Sequence, residues 1–389
     1  MGTGIQSARP GCNADAASLE PAPMGRSRNK LKRACPVMAT VALCLALAGC
    51  GRSDQDASAT VSDQVEATSA PAPSGTLSRV KARRRLKCAV SEDKPGFAQR
   101  GLGGQWRGFD VDLCRAVAAA VLGDGRAVVF TPTNSRTRFA ALQSGDVDIL
   151  SGGGAWTFSH DEALGLSFAG ISYFDGQSFL ARRSGRLRTI ADLAGSRICV
   201  LGGAASQQAL ADIFKARGET YQPVLRDTLT EAVTAYRKGN CDALSEDVSV
   251  LAGLAQQMPQ RADQVILPGY IADEPLGLIV RDEDSRWEDI VRWTLNALIL
   301  GEDLSVTSQN VEELRRTSAN PAIRRLVGLD GEFGRRLGLR DEWSYRAIRQ
   351  IGNYGEIFQR NLSGLGLERG RNALWDAVTP GQIYAPPMR

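Results

Sequence analysis

Histidine is nearly absent from this sequence: His160 is the one histidine among 389 residues. That removes the histidine-rich ligand sets typical of catalytic zinc and leaves a single imidazole for acid–base work. The cysteines are nowhere spaced C-x-x-C, so no zinc-like cluster is expected. No nucleophile elbow and no phosphate-binding glycine loop occurs either. Metal ions and cofactors are therefore not expected. An overall basic excess is also missing from the body of the chain. The formal charge is +4, but residues 1–49 carry six basic and two acidic residues and account for all of it. The remainder is balanced, which argues against a nucleic-acid partner. Finally, no apolar run is long enough to span a bilayer. The longest, residues 37–49, covers only about a dozen positions, where a spanning helix needs about 20.

What is present begins with a leader. Basic residues from Arg26 to Arg33 precede that apolar run, which ends Leu47-Ala48-Gly49-Cys50. This is the layout of a secretory signal, and its last four residues resemble the bacterial lipobox. The resemblance implies that residues 1–49 are removed and that Cys50 is lipidated. Residues 1–23 lack signal character, so Met24 is an alternative start. Gly51 and Arg52 follow Cys50, and no acidic residue stands at the second position to hold a lipoprotein on the inner membrane. By family analogy the outer membrane is then open to it, and the choice of membrane stays open. Residues 50–77, rich in Ser, Ala, Asp, Gln and Pro, read as a disordered tether.

Four cysteines lie beyond the leader: Cys88, Cys114, Cys199 and Cys241. An even number in an exported protein points to disulfides. Three pairings are possible, and Cys88–Cys114 with Cys199–Cys241 is the most local.

At this length two domains with sizeable cores are affordable, and 43% hydrophobic with 23% charged residues is ordinary for a folded chain. From Ser78 the pattern alternates. Residues 86–90 read as a strand. Residues 108–122 read as a helix, with Val111, Cys114, Val117, Ala118 and Val121 at three-to-four spacing and Gly123 as the stop. A strand at 127–130, a short helix at 134–144 and a strand at 147–150 follow. A second alternating unit begins near Leu187, with strands at 197–201, 223–225, from 243 and 264–267. The helices between them lie at 204–216, 228–238 and 249–257. An apolar return strand occupies 274–281, a helix 286–301, and the tail is helical in pattern. Strands alternating with helices imply an α/β fold with a largely parallel, doubly covered sheet. The stretch from Ser144 to Asp161 stands out. A short strand runs into Gly152-Gly153-Gly154, then Ala155, Trp156, Thr157, Phe158, Ser159 and His160, a composition suited to a ligand loop at a strand end.

The order of motifs resembles the periplasmic solute-binding proteins of polar amino-acid ABC transporters, above all their general L-amino-acid branch. The resemblance rests on residues 108–123, 138–148 and 168–177, on Glu274-Pro-Leu-Gly277, on residues 287–298, on Ile351-Gly-Asn-Tyr-Gly-Glu-Ile-Phe358 and on Tyr384-Ala-Pro-Pro387. It runs from about Leu77 to Arg389. It implies a two-lobed periplasmic-binding-protein type II fold with two crossover strands and a helical C-terminal extension. Lobe one would comprise 78–181 plus 279–389, and lobe two 185–272, with crossings near 179–183 and 273–278. It implies an amino-acid-like ligand, an ABC permease as partner, and a periplasmic location on a lipid anchor.

The resemblance also implies ligand-binding roles. Asp247 would meet the ligand ammonium. Gly203, opening a helix, and Ser206 would meet its carboxylate. Phe97, after Glu92 and Asp93, would stack or cap; Trp156 would stack and Thr157 donate its hydroxyl. The branch expects arginine, asparagine and threonines where this chain has Gly152 to Ala155, and its carboxylate-clamping arginine aligns with His160. An imidazole donates one hydrogen bond where arginine offers a bidentate fork. Two other readings stay open: a transport-inactive sensor or scaffold, and an enzyme on the same fold using Glu246, Asp247 or His160.

Overall fold

The computed structural model describes residues 75–91, 94–101, 103–134, 136–162, 164–202 and 205–389. The leader, Cys50, most of the tether, Glu92, Asp93 and Gly203 lie outside the described residues. The first helix, α1 (Thr76–Arg83), starts inside the stretch read as tether.

Strands β1 (Leu86–Ser91), β2 (Gln99–Arg100), β3 (Trp106–Arg107), β4 (Val128–Thr133), β5 (Ile149–Ala155), β6 (Leu166–Arg182), β7 (Arg197–Leu201), β8 (Gln222–Arg226), β9 (Ala243–Asp247), β10 (Gln264–Ile266) and β11 (Ala272–Arg281) follow in chain order. All but β2 and β3 join one sheet, ordered β4-β1-β5-β11-β6-β9-β7-β8, with β10 beside β6. Parallel pairs form at each end: β1 with β4 and β5, and β7 with β8 and β9. The two central strands are antiparallel and long. β6 spans 17 residues. Its first part pairs with β11, and residues 177–181 pair with β9. It therefore leaves one α/β half and enters the other, and β11 returns. The expectation of a crossing near 179–183 located only the far end of this strand.

The intervening helices are α2 (Phe109–Leu122), α3 (Arg138–Gln143), α4 (Phe158–Glu162), α5 (Ala205–Arg217), α6 (Leu229–Arg237) and α7 (Val248–Gln257). Helix α2 is buried along almost its whole length, which explains its four alanines; Arg115, its one basic residue, is only partly covered and pairs with Asp112. It starts at Gly108, where φ is 138° and a Cβ would collide with the Phe97 carbonyl, and stops at Gly123 in the left-handed region. Both faces of each half are covered by apolar clusters. In the first half one face packs on Phe97, Phe109 and Tyr173 and the other on Leu142, Leu150 and Ile279. In the second half Phe214 and Leu193 lie on one face and Tyr236 and Leu251 on the other.

The C-terminal extension holds α8 (Ser285–Asp303), α9 (Val311–Thr317), α10 (Pro321–Leu326), α11 (Phe333–Arg336), α12 (Trp343–Ile351) and α13 (Tyr354–Leu362). It completes the first half's core with Trp287, Trp343, Tyr354 and Phe358, each at most 2% exposed. Fully burying such side chains stabilises by roughly 1.5–3 kcal/mol apiece. Cys88 is bonded to Cys114, tying β1 to α2, and Cys199 to Cys241, tying β7 to the turn before β9.

The triple glycine departs from expectation. Gly152 to Gly154 belong to β5 rather than to a loop after it. Leu278 of β11 pairs with Ser151 and Leu276 with Ala155, so four steps on β5 face two on β11. The surplus is taken up as a bulge, for which glycine suits the chain. Gly152 has φ 71°, and a Cβ there would land on the Asp110 carboxylate.

Candidate functional site

Nearly every group at the site comes from the carboxyl end of a parallel strand, where α/β sheets present ligands. Lys94 follows β1; Asn134, Arg136 and Arg138 follow β4; Gly152, Gly154 and Ala155 end β5. From the other half, Ala205 and Ser206 follow β7, Asp227 and Thr228 follow β8, and Glu246 and Asp247 end β9. With Glu274 and Leu276 of β11, they line one cleft of ≈ 530 Å³ between the two halves.

The floor of the cleft is a closed ionic network. Lys94 Nζ lies 3.1 Å from Asp175 Oδ2 and 3.4 Å from Asp247 Oδ2. Asp175 also accepts from the Ser249 hydroxyl and from the Ser249 and Gly176 backbone N–H groups. Burial alone would strip the Lys94 proton, but the carboxylates of Asp175, Asp247 and Asp110 outweigh it and hold the ammonium above the usual lysine range. Asp247 both ends β9 and precedes α7, and a quarter of its side chain remains open. Burial pushes its carboxyl up, against the pull of Lys94.

The rest of the cleft is not closed. Of the eight buried side-chain polar atoms without a hydrogen-bond partner among the described residues, Arg138 Nε and Glu246 Oε2 belong to residues that line the cleft. Buried polar groups are normally paired, so unpaired ones along a cavity make it a candidate binding site. Burial lowers the Arg138 pKa, partly offset by Asp247 and Glu274, whose charges reach it. Burial and neighbouring carboxylates push Glu246 up to about 8 and Glu274 up to about 7. The cleft thus crowds more carboxylates than its cations neutralise.

Of the expected site residues, the structure brings Ser206 and Asp247 to the cleft. Phe97 is fully buried against Phe109 and Tyr173, and meets the site through Lys94, whose ammonium lies 5.0 Å from its ring centroid. Trp156 stacks on Phe168 at 5.2 Å. The Thr157 hydroxyl, just before α4, accepts from the His160 N–H at 3.3 Å. The His160 ring packs 4.9 Å from Phe139, with Nδ1 2.9 Å from the Ala155 carbonyl. Trp156, Thr157 and His160 are beside the cleft, not among its lining residues. Sequence reasoning missed Lys94, Arg138 and Glu274. The available signal was position: Lys94 and Arg138 each follow the carboxyl end of a predicted strand.

A second cavity of ≈ 530 Å³ lies behind the crossover strands, between α7 and residues 365–372. Two of its arginines are already engaged, Arg369 with Glu302 at 2.8 Å and Arg371 with Asp273 at 2.6 Å.

Comparison with known proteins agrees with this geometry. The family of bacterial extracellular solute-binding proteins, family 3, matches residues 86–304. The glutamate/glutamine/aspartate/asparagine-binding protein BztA of Rhodobacter capsulatus is 44% identical over 321 residues, 82% of this chain and 94% of that protein. The general L-amino acid-binding periplasmic protein AapJ of Rhizobium johnstonii is 44% identical over 338 residues, 85% of this chain and 98% of that protein. Among solved structures, an ABC transporter/periplasmic binding protein from Brucella ovis with glutathione bound superposes with a TM-score of 0.77. It is 45% identical, covering 81% of this chain and 99% of that one. The chain belongs to the bacterial extracellular solute-binding proteins of family 3.

Proposed function

We propose that the protein is the substrate-binding component of an ABC amino-acid uptake system. It holds an amino acid or a close derivative between its lobes and presents it to the permease. The observation that carries this reading is a cleft walled by both halves, with a buried, unpaired Arg138 Nε and Glu246 Oε2 beside Asp247. A zwitterion answers such groups. Its ammonium goes to Asp247 and Glu246. Its carboxylate goes to Arg138, assisted by Ser206 in the first turn of α5. Arg138 takes the clamp role that the sequence comparison gives to His160, whose Nδ1 already lies beside the Ala155 carbonyl. Trp156, Thr157 and Phe97 then shape the site from behind these contacts.

The relatives named above are binding proteins, and the same role is assigned here in preference to an enzymatic one. Closure of two lobes about β6 and β11 supplies the signal a permease reads. The leader, Cys50 and the tether support export and lipid anchoring; Cys50→Ala should move the protein from the membrane fraction to the soluble periplasmic fraction.

The functional test is thermal unfolding against a panel of amino acids and their derivatives. A ligand at a hundredfold excess over its Kd stabilises by about 2.7 kcal/mol, and at least one member should raise Tm accordingly. No upshift with any of them would contradict uptake and favour the transport-inactive sensor.

A further inference from the structure

Lys94 carries a lobe-one charge across the cleft. It sits in the turn after β1, where its carbonyl accepts from the Phe97 and Ala98 N–H groups and its ammonium lies over the buried Phe97 ring. Its side chain is 8% exposed and reaches two carboxylates that differ in accessibility. Asp175, on the crossover strand β6, is 1% exposed, and its contact with Lys94 is 3.1 Å. Asp247, from lobe two, is a quarter exposed and lines the cleft. Its contact, at 3.4 Å, is longer than the roughly 3.2 Å at which N–H···O bonds usually end. Lobe two meets the same turn at a second point. A Cβ at Gly253 of α7 would lie 2.7 Å from Pro95 Cβ and Cγ, so Pro95 rests directly against the helix backbone. The Lys94–Pro95 turn thus touches α7 at its start and near its middle. At the start, a lysine ammonium occupies the carboxylate proposed above for the solute's ammonium. Two ammonium groups cannot share it without mutual repulsion. Lys94 is the one that can yield, because Asp175 keeps it paired at the shorter distance.

We infer that Lys94 is an internal competitor of the solute: it latches the lobes together through Asp247, and a solute ammonium binds by taking that carboxylate while Lys94 stays on Asp175. This rests on the amino-acid reading of the cleft. The latch makes the binding-competent form only a fraction of the population, and the apparent affinity falls by that fraction.

Two measurements on the full chain test it. Calorimetric titration compares wild type with Lys94→Met, using L-alanine, L-glutamine, L-glutamate and L-arginine as probes. The tightest of them should bind the variant at least about tenfold more tightly, the factor that applies if about one tenth of the wild-type population is unlatched. Solution X-ray scattering without solute should give the variant a larger radius of gyration than wild type, because the bridge between the lobes is gone. A lysine that merely supports the cleft floor predicts the opposite sign in the titration, since losing it would weaken binding. Unchanged or weaker binding by the variant, or equal radii without solute, overturns the inference, and the amino-acid reading stands as long as wild type binds a probe. Silence of all four probes with both proteins overturns both. Should Lys94→Met fail to fold, Asp247→Asn, which keeps the Lys94–Asp175 pair, must show the larger radius without solute; a radius equal to that of wild type then overturns the inference.

Discussion

The two walls of the cleft are built differently. The lobe-two wall is made from strand-to-helix junctions: Thr228 accepts from the Glu231 N–H to cap α6, and Asp247 leads from β9 directly into α7 without a side-chain cap. Its positions are held by local secondary structure. The lobe-one wall is made from a bulged strand, a turn lysine and the first residue of a short helix. Its groups are held by tertiary contacts instead: Lys94 by Asp175, the Gly152 bulge by the pairing of Ser151 and Ala155 with β11, and Arg138 by burial. On the proposed reading, the lobe-two wall would receive the ammonium and the lobe-one wall the carboxylate. Three perturbations sharpen or break that contrast.

The largest effect is expected at the bulge. Gly152→Ala places a Cβ at φ 71° and onto the Asp110 carboxylate. Left-handed strain of about 1–2 kcal/mol and overpacking of about 1–3 kcal/mol both apply. Denaturant unfolding should register a loss of roughly 3 kcal/mol; a variant as stable as wild type would mean that Asp110 yields the space at 152 without cost.

Next comes the clamp. Hydrogen bonds to charged groups contribute about 1.5–3 kcal/mol, so Arg138→Ala should weaken amino-acid binding by roughly 10- to 100-fold. His160→Ala, outside the lining, should change it by less than about threefold, as judged by titration. The reverse ranking would return the clamp to the Trp156–His160 turn.

The third perturbation is pH. Folding raises Glu246 to about 8 and Glu274 and Asp110 to about 7, against ordinary carboxyl values of about 4. The folded state therefore binds more protons than the unfolded chain. The stability this contributes is complete below the ordinary carboxyl range and is lost as pH rises through 7 to 8. Ligand-free protein should melt higher at pH 5.5 than at pH 8.5, and Glu246→Gln should flatten the dependence. A higher Tm at pH 8.5 would contradict a cleft crowded with uncompensated carboxylates.

The contrast between the walls also explains what was legible. Helix α2 could be read because its apolar spacing, Gly108 and Gly123 are local signals. Asp247 and Ser206 could be placed because they sit at strand-to-helix junctions. The triple glycine read as loop because three glycines carry no strand propensity; β11 makes it strand by pairing on either side of it, at Ser151 and Ala155. The length of β6 was missed because it pairs with strands of both halves and is buried along most of its course, which removes the alternation that marks a half-exposed strand. Lys94 carries no motif, and Arg138 opens the 138–148 stretch that carries the resemblance but has no site role assigned to it there. One is a turn residue and the other opens a six-residue helix, and folding makes both of them site residues.

The central claim is that an amino acid binds between these walls with its ammonium on Asp247. Calorimetric titration of wild type and Asp247→Asn with the tightest ligand of the panel tests it most directly. Truncating one partner of a buried charge contact costs about 2–5 kcal/mol. The account predicts one-to-one binding to the wild type and a loss of at least about thirtyfold in the variant. Equal affinity in the two proteins would contradict it.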